Sequence, residues 1–203
     1  MNKSIRRACV WALYLAGASA GGALSGSVMA APLSSVESLA NTCNNCHGVK
    51  GVSVGASMPS IGGQSEAYLL MLMQQWRSGE RYSASMGRLL KGYSDEQIAS
   101  LAKYFSAQPW VPAEQRAPDQ VIFNGRLVSD RCTTCHGEKG GQPADAVTPR
   151  LNGQWATYIE MELNKYRDEA VKLPHRKMRK NAQRLEPTEV YEVSSFMAVQ
   201  TGK

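Results

Sequence analysis

The pentapeptide Cys-x-x-Cys-His occurs twice in this chain of 203 residues, at positions 43–47 and 132–136. Two thiols at this spacing can add to the vinyl groups of one porphyrin, and the adjacent imidazole can then bind its iron. A single copy could be a redox dithiol, but two copies that each open a similar stretch of sequence are a strong signal. We therefore predict two covalently attached haem c groups. Their attachment residues are Cys43, Cys46, Cys132 and Cys135, and their histidine ligands are His47 and His136.

Zinc is the main alternative for clustered cysteine and histidine. Each motif supplies only three candidate ligands, and no further cysteine or paired histidine in the sequence completes a tetrahedral set. The fifth cysteine, Cys9, lies in an N-terminal segment that we expect to be removed. The sequence therefore favours haem over zinc and leaves no cysteine for a disulfide.

The first 30 residues have the layout of a secretory signal peptide. Lys3, Arg6 and Arg7 precede an apolar run, and a stretch of small residues ends at Ala30, where we expect cleavage. An uncleaved membrane anchor is the alternative. Glycines interrupt the run, however, and it is shorter than the roughly 20 apolar residues that a membrane span needs. We therefore predict export to the periplasm.

The formal charge of +6 does not indicate nucleic-acid binding. The signal segment holds three of the 23 basic residues and no acid, so 20 basic and 17 acidic residues remain. Four haem carboxylates would bring the loaded protein close to neutrality. One basic cluster survives in residues 170–185, which contain no acid: Lys172, Arg176, Lys177, Arg179, Lys180 and Arg184. One interpretation of this cluster is a solvated loop without a specific function. The other is a functional surface, which would either dock a partner protein or pair with the haem propionates.

The sequence after the signal segment is a tandem repeat. The two copies are offset by 89 residues at the haem motifs, by 90 beyond them and by 92 towards their ends. Each copy predicts three helices. In the first copy they cover residues 36–45, residues 66–78, and a third segment that Ser94 caps, with Gln97 completing a capping box. Pro187 suits the first turn of the last helix in the second copy.

These patterns predict an all-α fold of two tandem domains, each with about three helices around one covalent haem. We place the first domain at residues 31–112 and the second at 119–203, with a linker at 113–118 where the helical pattern gives way to prolines. Each domain has only about 80 residues, which is small for an apolar core to stabilise alone, so a buried porphyrin would supply part of the core.

The repeat relates two pairs of methionines that could bind the second axial position of each iron. Met71 and Met161 lie within a predicted helix among apolar residues, where methionine is more often core filler. Met86 and Met178 lie between helices, 39 and 42 residues after their motif histidines. We predict Met86 and Met178 as ligands. His175, the only histidine outside the motifs, leaves bis-histidine ligation open at the second haem.

Several segments resemble the dihaem cytochrome c subunit of flavocytochrome c sulfide dehydrogenase, a relative of the cytochrome c4 group of class I cytochromes c. Besides the haem motifs, they are residues 57–61, 85–94, 140–143, 151–155 and 174–178. The Met-Gly-Arg and Lys-Gly-Tyr-Ser elements in the second segment are the most specific. The resemblance implies methionine ligation by Met86 and Met178. It also implies that the carbonyls of Pro59 and Pro149 accept a hydrogen bond from the ligand histidines.

The resemblance further implies that this chain accepts electrons from a separate sulfide-oxidising flavoprotein and passes them to a soluble or membrane-bound redox protein. The sequence contains no Gly-x-Gly-x-x-Gly fingerprint, so we expect no flavin on this chain. A free carrier of the cytochrome c4 kind, serving a terminal oxidase or another redox partner, is the alternative. An enzyme such as a dihaem peroxidase or thiosulfate dehydrogenase would need an open or unusual iron ligand. We therefore predict no catalytic residue.

Overall fold

A computed structural model describes residues 35–201, and no β-strand occurs among them. The α-helices of this part of the chain are α1 (Val36–His47), α2 (Glu66–Ser78), α3 (Met86–Leu89), α4 (Asp95–Ser106), α5 (Asp119–His136), α6 (Ala156–Arg167), α7 (Arg176–Ala182) and α8 (Pro187–Ala198). The predicted all-α class is confirmed. The predicted signal segment and its cleavage site lie outside the described residues.

The order of helices in the first half, α1 to α4, is repeated in the second half by α5 to α8. Helix α4 packs against both α1 and α2, and α8 packs in the same way against α5 and α6. A short helix stands before the last long helix of each half, and these two short helices carry Met86 and Met178. Each half therefore has the three long helices that its sequence predicts, together with one short helix.

Local sequence signals start the last helix of each half. The Ser94 side chain accepts a hydrogen bond from the Gln97 backbone, and the Gln97 side chain accepts one from the Ser94 backbone, so the predicted capping box is present. Pro187 is the first residue of α8, where its missing N–H costs nothing. Helix α1 runs to His47, two residues further than predicted, so each haem motif occupies the last turns of a helix.

The two halves meet through a reciprocal pair of buried glutamines. The Gln64 side chain donates to the Arg150 carbonyl at 2.8 Å and accepts from the Arg150 N–H at 3.1 Å. The Gln154 side chain makes the same two bonds with the Ser60 backbone, at 2.8 and 2.9 Å. In the repeat, Gln154 is equivalent to Gln64 and Arg150 to Ser60. Each half thus binds the other with the same surface, as the subunits of a two-fold symmetric dimer do.

A second set of contacts between the halves has no symmetry. Arg81 of the first half is 5% exposed, and its guanidinium donates to the Tyr166 hydroxyl at 2.9 Å and to the Glu162 carboxylate at 2.7 Å. Lys165 also donates to Glu162, at 2.5 Å. The guanidinium lies 5.9 Å from the ring centroid of Trp76 and 5.4 Å from that of Tyr166. This buried cation ties the loop after α2 to helix α6.

The segment that connects the two halves is hydrogen-bonded to the second half. Residues 107–118 form no helix, yet they are bonded along the second half. The Trp110 indole donates to the Asn152 carbonyl at 3.0 Å, the Ala113 N–H donates to the Gly153 carbonyl at 2.8 Å, and the Gln115 side chain donates to the Gln154 carbonyl at 3.0 Å. The described residues all belong to one compact unit. The predicted domain boundaries at 112, 113, 118 and 119 stay a prediction.

Replacing Arg81 with methionine should lower the free energy of unfolding by about 3 kcal/mol, because it leaves the Glu162 carboxylate half-buried with Lys165 as its remaining partner. Denaturant unfolding of the haem-loaded protein measures this change. Arg126 is the matched control, since it is an exposed arginine on α5 whose replacement by methionine should change stability by less than about 0.5 kcal/mol. Equal effects of the two variants would show that the Arg81 contacts do not hold the halves together.

Candidate functional site

Each predicted attachment pair lies near the C-terminal end of a helix. Cys43 and Cys46 are three residues apart on α1, as Cys132 and Cys135 are on α5, so the two thiols of each pair lie on neighbouring turns of the same helix side. Within residues 35–201 all four cysteines carry free thiols. Burial raises the pKa of the Cys43 thiol and raises that of Cys132 to about 11. Cys46 and Cys135 are exposed.

A tight turn follows each motif and returns the chain towards its histidine. It begins at Gly48 and Gly137, whose φ angles of 75° and 77° lie in a region that glycine adopts without strain. The carbonyl three residues further on, that of Gly51 in the first half, then accepts hydrogen bonds from the Ile61 and Gly62 N–H groups at 2.8 and 3.0 Å. The Gly140 carbonyl accepts the equivalent pair in the second half, at 2.8 and 3.2 Å.

This return places a proline carbonyl beside each motif histidine. His47 Nδ1 lies 2.9 Å from the Pro59 carbonyl oxygen, and His136 Nδ1 lies 2.9 Å from that of Pro149. A carbonyl oxygen can only accept, so Nδ1 carries the proton in both rings and the lone pair of Nε2 is available for a metal. The hydrogen bonds that the family resemblance implies are therefore present. Burial lowers the pKa of both histidines, which keeps the imidazoles neutral.

One continuous cavity of about 400 Å³ connects the two halves. Its wall is formed largely by apolar side chains from α2, α4, α6 and α8, and it brings together most of the residues that the sequence singles out. Those in the wall are Cys43, His47, Met86, Cys132, Cys135, His136 and Met178. Cys46 is not part of this wall, although it follows Cys43 by one helical turn.

In the first half, Met86 opens α3 and lines the cavity. Its backbone N–H donates to the Ser83 hydroxyl at 3.1 Å. Arg77 holds the far end of this segment, because its guanidinium donates to the Tyr93 carbonyl at 3.1 Å and pairs with Asp95. The Met86 thioether is therefore carried by a segment that is fixed at both ends within its own half.

The competing methionine pair lies elsewhere. Met161 is 40% exposed on the surface of α6, and Met71 lines a separate shallow depression. Met73 and Met197 do line the main cavity, but both pack within the helix cores. This placement agrees with the preference for Met86 and Met178, and the ligand assignment itself stays a prediction.

In the second half the wall contains two candidate ligands, Met178 and His175. Met178 lies on α7 and packs against the buried apolar residues of the second half. Its neighbour Arg179 anchors the segment by donating to the carbonyls of Asp168 at 2.7 Å and Val171 at 2.6 Å. Burial, together with the charge of Arg81, lowers the pKa of His175. Both side chains therefore lie in the wall of the second site, and the choice between them stays open.

The donor set fits haem c in both halves. Each has two thiols one helical turn apart, a neutral imidazole whose ring is oriented by a carbonyl, and a methionine thioether in the largely apolar wall of the cavity. The two cysteine pairs are consistent with two haem groups, one attached to each half.

The sequence did not single out the polar residues where the two halves share the cavity. Arg81, Glu162 and Tyr166 all lie in its wall, as do Tyr68 and Tyr158. Burial raises the pKa of both Tyr68 and Tyr158, so their hydroxyls stay protonated. The repeat could have pointed to two of these residues, because Tyr68 and Tyr158 occupy equivalent positions and are both tyrosine.

Comparison with known proteins places this architecture among c-type cytochromes. The family described as Cytochrome c matches residues 124–200. Cytochrome c4 of Pseudomonas aeruginosa is 34% identical over 136 residues, which cover 64% of this chain and 68% of that protein. The crystal structure of reduced recombinant cytochrome c4 from Pseudomonas stutzeri superposes with a TM-score of 0.73 at 27% identity, covering 84% of this chain and all of that one. The predicted fold of two tandem cytochrome c domains is confirmed by this match.

A shorter similarity concerns the other relative named by the resemblance. The cytochrome subunit of sulfide dehydrogenase from Chlorobaculum tepidum is 41% identical over 69 residues, which cover 34% of this chain and 62% of that protein. The similarity to cytochrome c4 extends over much more of this chain.

Replacing Gly48 with alanine should weaken the first site. The new Cβ would lie 1.8 Å from the Val52 carbonyl oxygen, and the left-handed backbone there strains any L side chain. We expect a loss of more than about 1 kcal/mol in stability, and a haem-to-chain ratio that falls because the first site loads poorly. Gly55→Ala is the control, since its Cβ would meet no atom within 4 Å. Full haem content in Gly48→Ala would contradict the role assigned to the turn.

Proposed function

We propose, from the premise that the chain belongs to the cytochrome c4 family of dihaem class I cytochromes c, that it is a periplasmic carrier of single electrons between redox proteins. The observation that carries this proposal is the duplicated set of cysteines, histidine and methionine, all of which except Cys46 line one continuous cavity. No helix within residues 35–201 is long and apolar enough to cross a membrane. The secretory pattern of the first 30 residues supports the periplasmic location.

The chain's own residues would hold and orient the cofactors. Cys43 and Cys46 would attach the first haem through thioether bonds, and Cys132 and Cys135 the second. When bound, haem supplies reversible one-electron exchange between ferric and ferrous iron. His47 and His136 would bind the irons through Nε2, while their Nδ1–H groups donate to the carbonyls of Pro59 and Pro149. The apolar wall keeps water away from the ligands.

The opposing thioethers of Met86 and Met178 support transfer rather than catalysis. A thioether ligand favours ferrous iron and raises the reduction potential. Held by His47 and Met86 in one half and by His136 and Met178 in the other, haem would have no position left at which oxygen or peroxide could bind. This arrangement supports an electron carrier over an enzyme such as a dihaem peroxidase or thiosulfate dehydrogenase.

A sulfide-oxidising flavoprotein is a second candidate partner, supported by the partial similarity to the sulfide dehydrogenase cytochrome subunit. In that case the chain would be the permanently bound haem subunit of a flavocytochrome c complex and would accept electrons from the flavin. The longer similarity to cytochrome c4 favours the free carrier. Co-expression with a candidate sulfide-oxidising flavoprotein distinguishes the two roles. A stable complex whose haems are reduced by sulfide supports the bound subunit. A monomer that does not bind the flavoprotein supports the free carrier.

Purified mature protein should carry two covalent macrocycles by mass spectrometry. Neither centre should bind carbon monoxide when ferrous, because the proposed histidine and methionine ligands would leave the iron no free position. The reduced protein should then pass electrons to an added oxidant without turning over peroxide or thiosulfate. Fewer than two macrocycles, or rapid carbon monoxide binding by both centres, would contradict the proposed carrier.

The ligand assignment is tested by single substitutions. Met86→Ala and Met178→Ala should each remove the methionine-to-ferric-iron absorption band from one haem and lower the potential of that haem alone. Met161→Ala is the control, because that side chain lies on the surface. His175→Ala decides between the two candidates in the second half: it should leave the spectrum unchanged, whereas a new ligand-field spectrum would assign His175 in place of Met178.

A further inference from the structure

The outward face of α7 is covered by positive charge. Arg176, Lys177 and Lys180 are exposed on this helix, and two more exposed cations flank it. We define the basic surface as Lys172, Arg176, Lys177, Lys180 and Arg184. Within residues 35–201, none of these five forms an ion pair with a carboxylate. The sixth cation of the segment, Arg179, is different, since its guanidinium is bonded to backbone carbonyls.

This arrangement works against the stability of the helix. Arg176 and Lys180 are four residues apart on this helix, and like charges at this spacing repel. Two cations also occupy the first turn of α7, at the positive end of the helix dipole. The equivalent segment of the first half, residues 80–92, contains three cations, of which Arg81 is buried and only Arg88 and Lys91 lie nearer the surface, together with the acid Glu80. Departures from favourable local electrostatics are expected where a surface has a function.

The basic surface lies close to the second site. The opposite side of α7 carries Met178 and Ala182, which face the cavity, and Lys177 reaches the cavity wall. A partner on the basic surface would therefore be separated from the cavity by one helix, about 10–12 Å across.

The segment is also held in place before any partner arrives. Arg179 anchors it from within, and the Tyr82 N–H of the first half donates to the Lys172 carbonyl at 3.0 Å. A surface that is already ordered loses less conformational entropy on binding.

We infer that the basic surface is the docking face for an acidic redox protein that exchanges electrons with the second haem centre. This inference rests on the proposed carrier function and adds the face and the charge of the partner. Unpaired cations on a fixed helix would attract and orient a carboxylate-rich face, and such steering raises association rates by about 10- to 1000-fold at low salt.

The test uses the haem-loaded protein, reduced beforehand, with acidic plastocyanin as the oxidant, so that one electron passes from ferrous protein to cupric plastocyanin. The variant is Arg176→Glu with Lys180→Glu, which spares Lys177 at the cavity wall. The matched control, Lys103→Glu with Arg126→Glu, makes the same charge change at exposed positions on α4 and α5. At about 10 mM ionic strength, where charges act over about 30 Å, we expect the variant to react at least tenfold more slowly than the control. At high salt the difference should vanish.

Thermal unfolding separates docking from folding. Glu at position 176 would suit the positive end of α7 and Glu at position 180 would oppose its negative end, so the two effects should offset and the variant should unfold at about the same temperature as the control. Equal rates for variant and control at low salt would overturn the inference. So would a changed haem spectrum in the variant, which would make these cations internal partners of the haem propionates.

Two further measurements distinguish protein docking from membrane binding, and failure of the docking face from failure of the carrier function. If the variant loses binding to phosphatidylglycerol vesicles but keeps its rate with plastocyanin, the surface binds membranes and the inference is wrong. If no form of the protein reduces tris(phenanthroline)cobalt(III), a cationic oxidant that needs no basic surface, the carrier function itself fails. Fast reduction of this complex by every form, with no salt dependence towards plastocyanin, would reject the docking face alone.

Discussion

The 2.9 Å hydrogen bond from histidine Nδ1 to a proline carbonyl sets the geometry of each half. It fixes the tautomer and the plane of the imidazole, so that Nε2 points into the cavity. It also requires the chain to turn back within about a dozen residues of the motif. The glycine that opens the turn and the carbonyl that receives two N–H groups meet this requirement in both halves. The helices then supply the apolar wall around a position that the turn has already defined.

The two halves are joined by contacts of two kinds. Gln64 and Gln154 make equivalent bonds across the interface, which preserve the symmetry of the repeat. Arg81 breaks that symmetry, because it reaches from the first half to Glu162 and Tyr166 and has no counterpart in the second. A buried cation on one side of a shared cavity gives the two sites different electrostatic surroundings, although their sequence motifs are the same.

Much of the site could be predicted because its signals are local or repeated. The haem motifs, the capping box at Ser94 and the paired positions of the repeat each depend on residues close in sequence or related by a fixed offset. The Arg81 contacts depend on partners 81 and 85 residues away in the sequence, and no local sequence pattern predicts contacts at that separation. The positive φ angles of Lys50 and Lys139 were also missed, since lysine carries no preference for that conformation. They follow from the tight turn that each glycine imposes.

The segment between the halves lies bonded along the second half through Trp110, Ala113 and Gln115. A connection that lies flat in this way, together with the buried glutamines, does not allow the halves to swing apart and meet again. In a carrier built like this, exchange between the two irons would take place across a constant gap. Its rate should therefore be indifferent to solvent viscosity, unlike that of a carrier whose domains must diffuse together before each transfer.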